Sequence, residues 1–391
     1  MLRLLHTADV HLGARHADLG DAAAAQRERQ FAAFRASVDL ALAEKVDLFL
    51  VAGDLFDSNT QPRRSVERVA AELARLAEAR VRTVLIPGTH DVYDRSSVYR
   101  AYDLAALAGT RPIDDLVTVL TPDRPWVHLA ACDVVVHGPV FATKRAPHSP
   151  LKNLAAVETP QASWRIGLLH AALSIPGRTD HDEVVITTDE IAASGLDYLA
   201  LGHWHSAQTA KAGGVTYAYA GAPEPVAVDQ DRAGKVLLVT LDEADGRRSV
   251  SVEERTVGRT VFERRDMDAA AIESQPALVA GLRASANPDL VLDVRLIGVR
   301  RDDLDVDPAE VEESLRGAFL RVRVRDLSRP ALSEGVLPPQ ETIAGAFIRN
   351  VEGRIAALEG SGDDLAAREA EELRDVLRLG RLLLAGQEVT L

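Results

Sequence analysis

The chain has 391 residues, a formal net charge of −14 and a hydrophobic fraction of 47%. This composition excludes wholesale disorder and fibrous classes, and a prior of about 150 residues per domain predicts two or three domains. The single cysteine, Cys132, excludes an internal disulfide and a cysteine-based zinc site. No apolar run approaches the ~20 residues that span a bilayer, and residues 1–8 lack the features of a signal peptide, so we expect a cytoplasmic protein without membrane contact.

Strand-like and helix-like segments alternate up to about residue 241. Short apolar and β-branched runs predict strands, and apolar residues at helical spacing predict helices. Strands are predicted at residues 2–7, 46–52, 81–86, 164–169, 196–201, 215–220 and 235–241. Helices are predicted at residues 21–45, in the segment that has Pro62 in its first turn, and at residues 187–193. Residues 110–165 are typical of antiparallel strands and loops.

A polar stretch at residues 242–248 marks a change in composition, and we place a domain boundary near residue 255. The first domain is then residues 1–255, and residues 256–330 form a small α+β module with strands at 291–299 and 320–324 and a helix at 307–317. The last segment, residues 331–391, is a helical tail with an apolar stripe over 363–385 that Gly386 ends.

Five predicted strands end in residue types that bind metals. These residues are Asp9, His11, Asp54, His90, Asp91, His170, His203 and His205. Ligands of open α/β sheets bind at the carboxyl ends of strands, so we expect the five clusters to converge on one rim. Residues two apart in an extended chain lie on the same side, so Asp9 with His11, and His203 with His205, can each point into one site.

The chemistry of this set points to transition metals. Carboxylates and imidazoles without sulfur favour Mn, Fe or Zn over Ca or Mg. Six or more such ligands exceed what one tetrahedral zinc ion needs, so we predict two ions. Two ions about 3.5–4 Å apart would clamp a phosphate, activate a water and stabilise a leaving oxygen.

The ordered set of five motifs in this sequence resembles that of the calcineurin-like metallophosphoesterases. The motifs are Asp9-Val10-His11, Gly53-Asp54-Leu55-Phe56-Asp57, Gly88-Thr89-His90-Asp91, His170 and Gly202-His203-Trp204-His205. Residues 6–13 and 53–57 are similar to the DNA-repair exonuclease branch, which contains the SbcD nuclease of bacterial SbcCD and the YhaO-type proteins. The motifs span residues 6–205, and beyond about residue 255 the resemblance is architectural only.

The resemblance implies an α/β fold with a two-sheet β-sandwich flanked by helices, followed by the α+β capping domain and the helical tail. It also implies roles for the site residues. The first metal would be held by Asp9, His11 and His205, and the second by His170 and His203. Asp54 would bridge both ions, and His90 would be the acid that assists the leaving group.

Thr89 departs from the family pattern, which has an asparagine whose carbonyl ligates the second metal. A threonine hydroxyl is shorter and a poorer ligand, so we expect a second metal site that either binds its ion more weakly or is completed by the substrate. Other residues are expected to support the site or contact DNA. Orientation or turn capping is predicted for Asp57 and Asp91, and a core or supporting role for His6. DNA contact is predicted for Arg63, Arg64, Arg321, Arg323 and Tyr93, with a solvated face or ordinary packing as the alternatives.

The resemblance implies a DNA exonuclease or endonuclease that hydrolyses phosphodiester bonds with two divalent ions. Mn²⁺ is favoured, with Mg²⁺, Fe²⁺ or Zn²⁺ as alternatives. It further implies a role in DNA repair with an SMC-like ATPase of the SbcC type, and a possible homodimer. A small-molecule or nucleotide phosphodiesterase remains open because the chain is acidic, and a weakly catalytic DNA-end-binding scaffold remains open because of Thr89. The helix at 363–385 either grips the ATPase partner or packs on its own domain.

Overall fold

The computed structural model describes residues 1–179, 183–227, 230, 232–300, 304–330, 338–359 and 364–384. The strands are β1 Leu2–Thr7, β2 Leu48–Ala52, β3 Arg82–Ile86, β4 Val117–Val119, β5 Trp126–Leu129, β6 Val134–His137, β7 Trp164–His170, β8 Ala172–Leu173, β9 Val185–Ile186, β10 Tyr198–Gly202, β11 Gln208–Ala212, β12 Val215–Tyr219, β13 Lys235–Ala244, β14 Arg247–Thr256, β15 Val261–Asp268, β16 Asn287–Ile297, β17 Val299–Arg300, β18 Phe319–Asp326 and β19 Arg329–Pro330. The helices are α1 Ala23–Ala43, α2 Arg63–Glu78, α3 Val98–Ala101, α4 Leu104–Leu107, α5 Thr188–Ala193, α6 Gln275–Arg283, α7 Pro308–Ser314, α8 Ile343–Glu359 and α9 Asp364–Leu384.

Two six-stranded sheets form the α/β part of the protein. The first has the order β14-β13-β1-β2-β3-β4, in which β1 to β4 are parallel and β13 is antiparallel to both neighbours. The second has the order β11-β12-β10-β7-β6-β5, in which β12 to β6 are parallel and both edge strands are antiparallel. The carboxyl ends of the parallel strands of each sheet therefore lie along one edge.

Alternation along the strands assigns side chains to layers. Leu4 of β1 belongs to a buried cluster that also contains Ile166 of β7, so the two sheets pack face to face. Leu5, the next residue of β1, packs with Phe34 of α1 on the opposite face of the first sheet. Ile191 of α5 packs in a third cluster, on the outer face of the second sheet. These layers confirm the predicted two-sheet α/β fold with flanking helices.

Several predicted elements differ from the structure in detail. Pro62 is the residue before α2 rather than part of its first turn. Residues 110–165 are not all antiparallel, because β4 joins the first sheet parallel to β3. The polar stretch at residues 242–248 contains the turn of the hairpin between β13 and β14.

The chain separates into two compact units. The first comprises residues 1–265, 285–293 and 315–323, and the second comprises the described residues of 266–284, 294–314 and 324–391. Within the second, α8 and α9 pack through Val351, Ile355 and Ala370, which confirms the helical C-terminal part, although the sequence patterns do not predict α8 itself. Residues 331–337 of the predicted loop, and Gly386, lie outside the described residues.

The division into domains 1–255, 256–330 and 331–391 stays a prediction. Among the described residues, no helix combines the length and apolar character needed to cross a bilayer.

The buried imidazole of His137, at the end of β6, predicts a loss of stability in acid. Burial, and then the charge of Arg165, lower the pKa of His137 to about 4. Between about pH 6.5 and pH 4 the unfolded chain therefore binds this proton and the folded chain does not. The free energy of unfolding should fall in that window by up to ~1.4 kcal/mol per pH unit from this residue.

The variant His137→Gln keeps an acceptor for Arg165, whose Nη2 lies 3.4 Å from Nε2 of His137, and removes the titration. Urea unfolding at pH 7 and pH 5 should therefore give a smaller difference in unfolding free energy for the variant than for the wild type. Equal differences in the two proteins would contradict this assignment.

Candidate metal centre

The predicted metal-binding residues follow the carboxyl ends of β1, β2, β3, β7 and β10. Asp9 and His11 come after β1, and Asp54 comes after β2. His170 is the last residue of β7, and it pairs in register with Gly202, the last residue of β10. Because the two sheets pack face to face, these strand ends meet at one edge of the sandwich.

Two buried carboxylates form the centre of this cluster. Asp9 is fully buried and accepts the N–H of His203 at 3.0 Å, and Asp54 is 2% exposed and accepts the N–H of His90 at 2.8 Å. Burial raises the pKa of Asp9 to about 6. Burial alone would also raise the pKa of Asp54, but His170 and His11 hold it well below its usual range.

The backbone at these positions is unusual. Asp9, His11 and Asp54 have φ values of 52°, 50° and 49°, in the left-handed region that non-glycine residues rarely adopt. Two hydrogen bonds hold this conformation: the N–H of Asp9 donates to the carbonyl of Gly53 at 3.1 Å, and the N–H of His11 donates to the carbonyl of Asp54 at 3.0 Å. The loop after β1 is therefore laid along the loop after β2, so that its side chains enter the cluster.

Two glycines leave room for the side chains that are predicted to bind metal. A Cβ at Gly88 would lie 2.2 Å from Oδ1 of Asp54 and 2.6 Å from its backbone nitrogen. A Cβ at Gly53 would lie 2.5 Å from Nδ1 of His170, and Gly53 has a φ of 85°. Glycine is thus required at both positions, because the side chains of Asp54 and His170 approach the backbone too closely to leave room for a Cβ atom.

Asp9, His11 and His205 offer ligand atoms within 4.8 Å of one another. Nδ1 of His11 lies 3.3 Å from Oδ1 of Asp57, so a proton on Nδ1 leaves the lone pair on Nε2. That Nε2 atom lies 3.1 Å from Nε2 of His205. Burial alone would lower the pKa of His11, but Asp57, Asp54 and Asp9 raise it, whereas burial lowers the pKa of His205 to about 3.

A second group, Asp9, Asp54 and His170, also fits a cation. Nδ1 of His170 donates to the carbonyl of Ala52 at 2.9 Å, and its buried Nε2 lies 3.1 Å from Oδ2 of Asp54 without making a hydrogen bond. Burial alone would lower the pKa of His170, but the carboxylates of Asp54 and Asp9 raise it to about 10. This position therefore favours positive charge, which a divalent ion can supply in place of the proton.

The other predicted ligands, and the predicted acid His90, lie outside these two groups, although the ligand atoms of His11, Asp57 and His90 also lie within 4.8 Å of one another. The ring of His203 packs edge-on against His170 with centroids 5.4 Å apart, but His203 belongs to neither group. Oγ1 of Thr89 lies 3.5 Å from Oδ2 of Asp54. The His90 side chain is 45% exposed, and its Nδ1 lies 3.1 Å from the carbonyl oxygen of Asp57.

Asp91 and His6 have structural partners. The carboxylate of Asp91 is fully buried and accepts the N–H of Gly88, the N–H of Phe56 and the hydroxyl of Tyr99, so it joins the loops after β2 and β3. His6 is buried in the sandwich, where its Nδ1 lies 2.9 Å from the Tyr198 hydroxyl. Burial lowers the pKa of His6 to about 3, so the ring is neutral.

The predicted DNA-contacting residues lie in three places. Arg63 begins α2, is exposed and pairs with Glu67, and Arg64 follows it on the surface. Tyr93 packs against the core beside β3, with the guanidinium of Arg100 4.2 Å from its ring centroid. On β18, Arg321 is half-buried and Arg323 is exposed, and they alternate with buried Val322.

One residue that contacts the cluster is not predicted by the sequence patterns. Nε2 of Gln230 lies 2.7 Å from Nδ1 of His205, and its Oε1 accepts the N–H of Val226 at 3.0 Å. Oε1 faces the N–H of Val226 and the amide nitrogen faces the Nδ1 lone pair of His205; when Nε2 of His205 holds a metal ion, Nδ1 carries the proton and the amide must turn so that its oxygen accepts it. Gln230 thus orients this imidazole, and a loop glutamine 25 residues downstream carries no local pattern that predicts it.

A family model described as calcineurin-like phosphoesterase matches residues 2–207. This is more than half of the chain, and the chain belongs to that family, which confirms the resemblance seen in the five motifs. A DNA double-strand break repair protein Mre11 of Aeropyrum pernix is 29% identical over 248 residues, 62% of this chain and 58% of the relative.

Two bacterial relatives are similar to the same region. The "Uncharacterized metallophosphoesterase YhaO" of Bacillus subtilis is 26% identical over 218 residues, 54% of this chain and 50% of the relative. The SbcD nuclease of the SbcCD complex of Rhodobacter capsulatus is 28% identical over 265 residues, 59% of this chain and 64% of the relative. These names confirm the resemblance to the DNA-repair nuclease branch, and the chain spans between half and two thirds of the length of these relatives.

The tight contact at Gly88 gives a test of the metal centre. We expect Gly88→Ala to displace the Asp54 carboxylate, to lower Mn²⁺ affinity at least tenfold and to destabilise the fold by about 1–3 kcal/mol. Calorimetric titration with Mn²⁺ measures the affinity. Gly214→Ala is the matched control, because a Cβ at Gly214 meets no atom within 4 Å, and equal affinities in the two variants would contradict the assignment.

Proposed function

We propose that this protein is a metal-dependent nuclease that hydrolyses DNA phosphodiester bonds. The observation that carries this proposal is the convergence of buried carboxylates and imidazoles at one edge of two packed sheets. Membership of the phosphoesterase family supports hydrolysis of a phosphate ester. Relatives named as DNA break repair proteins and as an SbcCD nuclease component support DNA as the substrate.

We assign two divalent ions to the cluster, with Mn²⁺ as the favoured metal. Asp9, His11 and His205 would hold the first ion. Asp54 would contact both ions, and His170 and His203 would hold the second. Bound there, the ions neutralise the phosphate charge and lower the pKa of a water nucleophile.

The chain's own residues position the other groups. Asp57 accepts a hydrogen bond from the Nδ1–H group of His11 and so directs the Nε2 lone pair into the cluster. The carbonyl of Asp57 holds Nδ1 of His90. In the doubly protonated ring, which is exposed, the Nε2–H group of His90 faces away from this contact and would give its proton to the leaving oxygen, which leaves a neutral imidazole.

Loss of His90 is expected to abolish most of the nuclease activity while the fold persists, because its ring is exposed and not part of a core cluster. We expect His90→Ala to lower the rate of Mn²⁺-dependent cleavage of end-labelled linear DNA by about 10²–10⁴-fold. His128→Ala, on the edge strand β5, is the control and should cleave at the wild-type rate.

Three outcomes separate the candidate functions. A product ladder that is lost in His90→Ala supports the nuclease and the role of His90. Turnover of a small phosphodiester without DNA cleavage would instead favour a small-molecule or nucleotide phosphodiesterase, which the net charge of −14 supports. DNA binding without hydrolysis of either substrate would favour a DNA-end-binding scaffold.

Thr89 should weaken the second metal site. Its hydroxyl reaches only to 3.5 Å from Asp54, whereas an asparagine carbonyl extends further into the cluster. Calorimetric titration of the wild type with Mn²⁺ should give one tight and one weak site, and Thr89→Asn should tighten the weak site by about tenfold. Two equally tight sites in the wild type would contradict this expectation.

Further expectations concern partners and location. By similarity to the SbcCD component, we propose an SMC-like ATPase partner and a role in DNA repair, with α9 as a candidate contact. A homodimer and a cytoplasmic location stay predictions. DNA contact by Arg63, Arg64, Arg321, Arg323 and Tyr93 also stays a prediction.

A further inference from the structure

A cavity of about 290 Å³ lies beside the metal-binding cluster and takes no part in the steps described above. Its volume is near the lower end of ligand pockets, about 300 Å³. The walls come from the residues that follow His11, from α1 and from the segment that leads into α2. The lining includes Gly13, Arg27, Glu28, Phe31, Gln61 and Arg68.

The cavity carries positive charge although the chain is acidic. Arg27 is exposed and donates to the carbonyl of Arg15 at 3.1 Å. The neighbouring Glu28 carboxylate, whose pKa Arg68, Arg64 and Arg27 lower, is the acidic group on which the charge of Arg27 acts. Arg68 donates to both carboxylate oxygens of Glu28 and lies 3.6 Å from the Phe31 ring centroid. The ring contact and the double hydrogen bond hold this guanidinium in place, and Glu28 neutralises its charge, so the charge available to a ligand is that of Arg27.

The cavity also contains a buried acceptor that lacks a donor. Nε2 of Gln61 donates to the carbonyl of Ser58 at 3.0 Å, whereas Oε1 is buried and has no hydrogen-bond partner. An unsatisfied buried acceptor costs about 1–3 kcal/mol, which a ligand N–H or O–H group would recover. Inorganic phosphate matches Arg27 alone, whereas a nucleotide combines a phosphate with donors on its base or sugar.

The cavity is close to the cluster along the chain. Gly13 is two residues from His11, so at most about 7 Å of backbone separates the two. Leu12, between them, accepts the N–H of Asp57 at 3.0 Å, which ties this segment to the loop that carries Asp54. One wall of the cavity, formed by Leu12 and Gly13, therefore lies within two residues of His11.

We infer that this cavity binds the adjacent nucleotide of the DNA strand that is cleaved, with its phosphate on Arg27 and a donor group on Gln61. The inference rests on the proposed nuclease function and deepens it. It assigns to the cavity the discrimination between a nucleic acid strand and a simple phosphodiester, which has no neighbouring nucleotide.

Binding of a fluorescein-labelled single-stranded oligonucleotide in EDTA, over a range of NaCl concentrations, tests the phosphate contact without turnover. Loss of one phosphate contact should reduce the slope of log affinity against log salt by about 0.7 for single strands. We expect this change, with weaker binding at low salt, for Arg27→Gln. Glu28→Gln should strengthen binding, because it removes the negative charge beside Arg68.

Arg82→Gln is the matched control. Arg82 begins β3, at the opposite end of that strand from the cluster, and like Arg27 it donates to a backbone carbonyl, that of Arg80 at 3.4 Å. This variant removes the same charge and should leave the salt slope unchanged. Equal slopes in Arg27→Gln and Arg82→Gln would overturn the inference.

Mn²⁺-dependent kinetics on two substrates separate this inference from the proposed function. For Arg27→Gln we expect the KM for the oligonucleotide to rise about tenfold, as for one lost charged contact, with kcat and the hydrolysis of bis(p-nitrophenyl) phosphate unchanged. Normal DNA cleavage by wild type and Arg27→Gln alike would overturn the cavity inference alone. Hydrolysis of the small diester without DNA cleavage by the wild type would overturn the proposed function and this inference together.

Discussion

Two carboxylates, Asp9 and Asp54, are buried where the two sheets meet, and the rest of the site depends on how their charge is compensated. A buried carboxylate is stable only when hydrogen bonds and positive charge replace its lost hydration. Here the N–H groups of His203 and His90 supply the hydrogen bonds, and the imidazole of His170 supplies the positive charge. Each partner comes from a different strand end, so both sheets must be packed together before the carboxylates are tolerated.

The same requirement explains why the site tolerates a strained backbone. Left-handed φ angles at Asp9, His11 and Asp54 cost of order 1–3 kcal/mol each and persist only where surrounding contacts enforce them. The hydrogen bonds between the loops after β1 and β2, and the buried carboxylate of Asp91, provide that enforcement. The packing of the two sheets thus stabilises side-chain positions that an isolated loop would not hold.

The net charge of this protein is opposite in sign to the charge at a few local positions. A net charge of −14 repels a polyanion at long range. The positive positions are local: His170 within the cluster, and Arg27 in the cavity beside it. Such an arrangement makes the binding of an anionic ligand depend on short-range contacts.

Local patterns of residues predict the alternating α/β order, most strand positions and the residue types at the strand ends, because hydrophobic periodicity and strand-end motifs are local properties. The departure at Thr89 is also visible at this level. Other features appear when the sheets are packed: β4 runs parallel to β3, His11 faces His205, His203 lies at the margin of the cluster, and Gln230 contacts it. These features depend on sheet register and on contacts between residues far apart in the chain, which local patterns do not encode.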